Sequence, residues 1–102
     1  MGFTLTIEQG RGSGQSFDFD DEEITIGRTD ENDVVLYDGG VSRNHCRVYF
    51  DEGRWHVEDL ESQNGTLLNG QKVRAEPLEA GDKITVGATT FRFEPGPGEG
   101  GA

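Results

Sequence analysis

The sequence predicts an all-β fold, a β-sandwich of short and mostly antiparallel strands. Three observations carry this. Apolar and polar residues alternate in stretch after stretch, the period of a half-buried strand. Turn pairs such as Asn64-Gly65 and Asn69-Gly70 separate those stretches, and both residue types tolerate the positive φ of tight turns. No segment keeps a 3.6-residue apolar period over three turns, so no helix is expected.

Each element follows in order. FTLTIEQ puts Phe3, Leu5 and Ile7 on one face. GRGSG, residues 10–14, is a hairpin turn, after which Phe17 and Phe19 alternate again. EITIG offers Ile24 and Ile26, and DVVL is a short strand. CRVYFDE turns Cys46, Val48 and Phe50 inward and Arg47, Tyr49 and Asp51 outward. Asp51-Glu52-Gly53 then turns the chain into RWHVEDL, with Trp55 and Val57 inward. Glu79-Ala80-Gly81-Asp82 breaks the chain before KITVG, and TTFRFE supplies Phe91 and Phe93. Many short strands with turns at this spacing read as a sandwich. PGPGEGGA, residues 95–102, has almost no apolar content and reads as a flexible tail or linker. The expected domain is therefore 1–94.

Composition narrows the function. The chain has 102 residues, one domain's worth, and 31% are hydrophobic. With sixteen glycines added, that is near the usual apolar share, so the core is lean. No run approaches the roughly 18 apolar residues of a membrane helix, and residues 1–10 lack a signal peptide's pattern. Met-Gly with Thr6 partly matches a myristoylation site, but Phe3, Leu5 and Ile7 read better as a buried strand face. The single cysteine excludes an internal disulfide and fits a reducing compartment. A net charge of −11 argues against nucleic acid as a partner. The expectation is a cytoplasmic monomer with no membrane, metal or cofactor.

Several motifs invite chemistry and fall short of it. The acidic run Asp18 to Glu23 lacks the glycine and distal glutamate of a calcium loop, and reads as a solvated hairpin turn. GRGSG lacks the lysine and the helix of a phosphate loop. Asn64-Gly65-Thr66 matches a glycosylation acceptor, a pattern common by chance. Ser42 and His45 lie three apart in an irregular segment with no G-x-S-x-G elbow. A hydrolase needs the histidine to reach the serine hydroxyl and a carboxylate to orient it, so no catalytic residue is assigned.

A stronger signal is collective. Gly27-Arg28, Ser42-Arg43-Asn44-His45 and Asn64-Gly65-Thr66 all flank strands. Loops at one end of a sandwich converge, which would gather two guanidinium groups, a hydroxyl and an amide. Arginine offers a planar fork of charged donors, and loop N–H groups add more. Such a set suits a phosphorylated side chain, with its −1.5 to −2 charges and three acceptor oxygens.

Five blocks then match a family in order and spacing: ITIGR (24–28), DVVL (33–36), VSRNHCRV (41–48), VEDLESQNGTLLNG (57–70) and LEAGDKITVG (78–87). Over roughly residues 3–94 the sequence resembles the forkhead-associated (FHA) domain. That resemblance implies a sandwich of about eleven strands, binding loops at one end, and no enzymatic activity. It implies a phosphothreonine-dependent docking module in serine/threonine-kinase signalling, whose partner is a phosphorylated protein, the kinase or its substrate. By matched position Arg28 and Ser42 would bind the phosphate, with Arg43 adding charge beside them. Asn64 would hold the peptide main chain, and Gln63 would border it. Gly27, His45, Gly65, Thr66 and Asn69 would support the site, Gly27 by letting the chain turn before Arg28. A pocket for the threonine methyl would favour phosphothreonine over phosphoserine by about 1 kcal/mol. Asp38-Gly39-Gly40 departs from the family, because this loop often carries a side chain that reads the residue three places after the phosphothreonine. The alternative function is a phosphate-independent interaction through a lateral sheet face.

Overall fold

The computed structural model describes residues 2–96. Eleven strands form two sheets. In sequence they are β1 (Phe3–Gln9), β2 (Ser16–Phe19), β3 (Glu23–Gly27), β4 (Val34–Val35), β5 (Cys46–Asp51), β6 (Arg54–Asp59), β7 (Thr66–Leu68), β8 (Gln71–Val73), β9 (Ala75–Pro77), β10 (Lys83–Val86) and β11 (Thr89–Pro95). One sheet runs β2-β1-β11-β10-β7-β8 and the other β4-β3-β5-β6-β9. Only β3 and β4 pair in parallel among the described strands, and no helix occurs among the described residues. None is therefore present there that could cross a membrane.

Alternation builds the core as the sequence requires. Leu5, Ile7, Ile24, Ile26, Val48, Val57, Ile84, Val86, Phe91 and Phe93 are all buried. Phe3 and Phe93 of one sheet meet Trp55 of the other, with ring centroids 4.6 and 6.3 Å away. Phe50 packs on Trp55 at 5.0 Å but lies at the core's margin, half-buried. Asn69 and Gly70, both with positive φ, close the tight turn from β7 to β8. Glu52 and Gly53 do the same between β5 and β6.

Three differences from the sequence expectation have physical causes. β7, β8 and β9 have three residues each, too few for a period to show. The acidic run does not make a hairpin: β2 pairs with β1 and β3 with β5, so Asp20 to Glu22 carries the chain from one sheet to the other. β11 reaches Pro95, one residue past the expected boundary. The rest of the expected tail, 97–102, lies outside the described residues, as does Met1.

Cys46 starts β5 fully buried, and that burial pushes its thiol up to about 12. A thiolate is the reactive form, so Cys46 is expected to resist alkylation in the native protein at pH 8 and to react once denatured. A mass-spectrometric time course with iodoacetamide checks this, and rapid native labelling would show that the β5 end opens.

Candidate functional site

One end of the sandwich gathers the loops that follow β1, β3, β4, β6 and β10. Hydrogen bonds between them define the site. The Arg28 N–H donates to the carbonyls of Ser42 (3.0 Å) and Arg43 (3.1 Å), joining the loops after β3 and β4. The Arg28 Nε donates to the Val41 carbonyl at 2.9 Å. That bond anchors the guanidinium by one edge and leaves its Nη donors for a ligand. The Ser42 hydroxyl oxygen accepts the Gln63 N–H at 2.9 Å, and its own proton stays available. Asn64 Nδ2 donates to the Gly40 carbonyl at 3.1 Å, so its amide oxygen stays open. Arg28, Ser42, Arg43, Gln63 and Asn64 are thus brought to one surface, and all but the half-buried Ser42 are exposed.

Behind them lies His45, 0% exposed. Its Nδ1 accepts the Ser42 N–H at 3.1 Å, and its Nε2 meets the Gly65 carbonyl at 2.9 Å. A backbone N–H can only donate and a carbonyl only accept, so these partners select the neutral ring with its proton on Nε2. Neither nitrogen faces the Ser42 hydroxyl.

Gly27 supports the site differently from the expected turn. It is a strand residue with no left-handed φ. A Cβ there would collide with the Arg43 carbonyl oxygen and lie 2.5 Å from Asn32 Nδ2. The glycine lets the two loops close. Gly65 does need its φ of +89°. Asn69 is not part of this cluster. It stands at the other end of β7, where its amide bonds Asp82 (3.1 Å) and the Lys83 N–H (3.0 Å).

Three supporting residues escaped the sequence reading. Asp59 accepts from the Ser62 hydroxyl (2.5 Å), the Ser62 N–H (3.1 Å) and the Thr66 hydroxyl (2.7 Å), fixing the loop that carries Gln63 and Asn64. Burial opposes its charge, but the Ser62 and Thr66 bonds outweigh that and hold its carboxyl below the ordinary range. Asp38 bonds the Gly40 N–H at 3.0 Å and the Ala88 N–H at 2.8 Å, and these two bonds lower its pKa. Asn32, 6% exposed, donates to the carbonyls of Arg43 (2.7 Å) and Thr29 (3.0 Å). Asp-x-Gly at 38–40 and Asp-x-x-Ser at 59–62 are side-chain-to-backbone turn signals, and could have been found.

Charge is distributed to suit an anion here. Arg47, Arg54, Lys83 and Arg92 are each paired with glutamates. Arg11, Arg28, Arg43, Lys72 and Arg74 form no ion pair among the described residues, and of these Arg28 and Arg43 lie at the site. No cluster of metal-ligating side chains occurs among those residues either.

Known proteins resemble this chain over most of its length. A family model described as the inner membrane component of the T3SS, cytoplasmic domain, matches residues 6–96. The oxoglutarate dehydrogenase inhibitor of Corynebacterium glutamicum is 36% identical over 93% of this chain and 66% of its own length. The FHA domain-containing protein FhaB of Mycobacterium tuberculosis is 33% identical, over 89% of this chain and 59% of its own. The chain thus spans less than two thirds of these relatives' lengths. A domain solved in work on phosphothreonine-dependent FHA domain interactions has a TM-score of 0.83 at 31% identity, covering 95% of this chain and 99% of that one.

Two outcomes are expected. Gly27→Ala should destabilise the domain by roughly 1–3 kcal/mol, as overpacking against rigid backbone does, read by urea denaturation. Asp59 has a lowered folded pKa, so its contribution is complete above the unfolded carboxylate value of about 3.9 and is lost as pH falls through the folded value. Denaturation midpoints measured from pH 6 down to pH 2 should fall, and Asp59→Asn should be less stable at pH 6 with a shallower decline.

Proposed function

The chain belongs to the forkhead-associated domains and to the family whose model spans residues 6–96, and from that premise we propose that it is a phosphothreonine-dependent docking module. Arg28, Ser42 and Arg43 hold the phosphate, Asn64 holds the peptide main chain, and Gln63 borders it. The observation that carries this is the pair Arg28 and Arg43. Of the nine basic residues, five form no ion pair among the described residues, and Arg28 and Arg43 are the two that backbone hydrogen bonds join beside Ser42. An unneutralised pair beside a free hydroxyl proton suits a dianion.

The partner is a phosphorylated serine/threonine kinase or its substrate, met by a monomer in the cytoplasm, with residues after β11 serving as a linker. A docking role also agrees with the His45 ring, whose two nitrogens are committed to backbone groups and do not serve Ser42 as a base. A second reading has one observation behind it. The outer face of the five-stranded sheet carries Tyr49 stacked on His56 (5.2 Å) and under the Arg47 guanidinium (4.0 Å), a partly exposed aromatic patch on which a partner could dock without phosphate.

Calorimetry with one phosphothreonine peptide decides between them. Arg28→Ala should weaken binding by at least about tenfold, since a charge-assisted hydrogen bond contributes roughly 1.5–3 kcal/mol. The fold should survive, because Arg28 is exposed. Unaltered affinity in this variant, or equal affinity for the unphosphorylated peptide, would sink the phosphate reading and favour the lateral face.

A further inference from the structure

We propose that Asn64-Gly65 is a self-modification site: the asparagine converts spontaneously to a carboxylate, and the conversion switches phosphopeptide binding off. The loss of binding rests on the phosphothreonine reading; the conversion does not. Glycine offers the preceding side chain a backbone nitrogen that no Cβ shields, and proximity favours an intramolecular attack. The Gly65 nitrogen bonds to the Asn64 side-chain Cγ, and the Cγ–Nδ2 bond breaks. Nδ2 leaves as ammonia with the proton that the Gly65 nitrogen gives up, and a cyclic imide remains. Water then adds to either imide carbonyl, which leaves aspartate or isoaspartate at position 64. Nothing is oxidised or reduced, and water is the one co-reactant.

The chain has a second Asn-Gly pair at 69–70, and the fold treats the two differently. At Asn69 both ends of the amide are held, Nδ2 by Asp82 at 3.1 Å and Oδ1 by the Lys83 N–H at 3.0 Å. At the exposed Asn64 only Nδ2 is held, by the Gly40 carbonyl at 3.1 Å. The nitrogens differ too. The Gly65 N–H points at the Ser62 hydroxyl oxygen, 2.9 Å away, which in turn donates to Asp59. The proton that must leave therefore has an acceptor in place. The Lys72 stem lies so close over Gly65 that its Cε is 2.5 Å from where a Cβ would stand, and Lys72 forms no ion pair among the described residues. A positive charge beside the nitrogen favours its deprotonated form. A Cβ at Gly70 would meet nothing within 4 Å. The product reverses the chemistry of the site. A donor to the Gly40 carbonyl becomes a carboxylate oxygen, an acceptor facing an acceptor, so the tie between the loops after β4 and β6 is lost. A negative charge then stands where a dianion is to be received, and like charges across an interface cost affinity. A bound peptide engages the Asn64 amide, so the occupied module is protected and the idle one is inactivated.

The test follows both asparagines by peptide mapping and mass spectrometry. Purified protein is incubated at pH 8 and 37 °C, alone and saturated with one phosphothreonine peptide. Asn64 should convert faster than Asn69 in the native protein, the two rates should converge in urea, and the peptide should slow Asn64 alone. Lys72→Met keeps the stem, removes the charge, and should slow Asn64 several-fold. Anion exchange separates the converted protein by its added negative charge. By calorimetry that fraction should bind the phosphopeptide at least about tenfold more weakly than fresh protein, with Asn64→Asp reproducing the loss and circular dichroism showing both folded. Asn64 converting no faster than Asn69 in the native protein overturns the proposal, as does a converted fraction that binds like the fresh one. A different failure, equal affinity of fresh protein for the phosphorylated and unphosphorylated peptide, removes the phosphothreonine reading and leaves the conversion to be judged on the mass spectra.

Discussion

The buried imidazole of His45 is the constraint on which the binding end depends. The residue makes four hydrogen bonds. Its ring takes the Ser42 N–H and meets the Gly65 carbonyl. Its own N–H donates to Ile26, and its carbonyl accepts from Leu60. One residue at 0% exposure, through its ring and its backbone together, thereby fastens β3, the loop after β4 and the loop after β6 to each other. Removing the ring would take the partner from the Ser42 N–H and the Gly65 carbonyl, both on half-buried residues, and loosen the two loops. Loops held this way lose little freedom when a ligand arrives, so more of the contact energy appears as affinity.

The same economy governs charge. Twenty acidic residues would overwhelm a small cationic site if they faced it freely. Several instead work as structural acceptors. Asp38 binds the N–H groups of Gly40 and of Ala88 in the turn after β10, Asp59 binds the Ser62 N–H and the Ser62 and Thr66 hydroxyls, and Glu8 takes Lys83 and Arg92 on the six-stranded sheet. Glu23 and Glu58 take Arg47 on the other sheet. Salt limits the reach of the remaining acids to about 8 Å under physiological conditions. Attraction at the loops is then decided by the nearest groups, Arg28 and Arg43.

Much of the fold was legible because its information is local. A strand such as Phe3 to Ile7 declares its buried face through period two, and Asn69-Gly70 declares its turn through two left-handed residues. The five family blocks located the loops, and the structure brings Arg28, Ser42, Arg43, Gln63 and Asn64 together. What remained hidden depends on contacts between distant segments. Gly27 looks like a turn residue until the Arg43 carbonyl, 16 positions away, is seen to occupy the space of its side chain. The acidic run looks like a hairpin because no local pattern distinguishes a turn within a sheet from a passage between sheets. Asn69 follows the binding loop closely in sequence, yet β7 carries it to the opposite end of the molecule.

A crystal structure of the domain with a bound phosphothreonine peptide measures the central claim most directly. The account expects the phosphate oxygens within hydrogen-bond distance of Arg28, Ser42 and Arg43, with Asn64 on the peptide main chain. It also expects both His45 ring bonds unchanged and the loop backbone moved by less than about 1 Å. A peptide seated on the Tyr49–His56 face, or loops that rebuild around the phosphate with the His45 bonds broken, would contradict it.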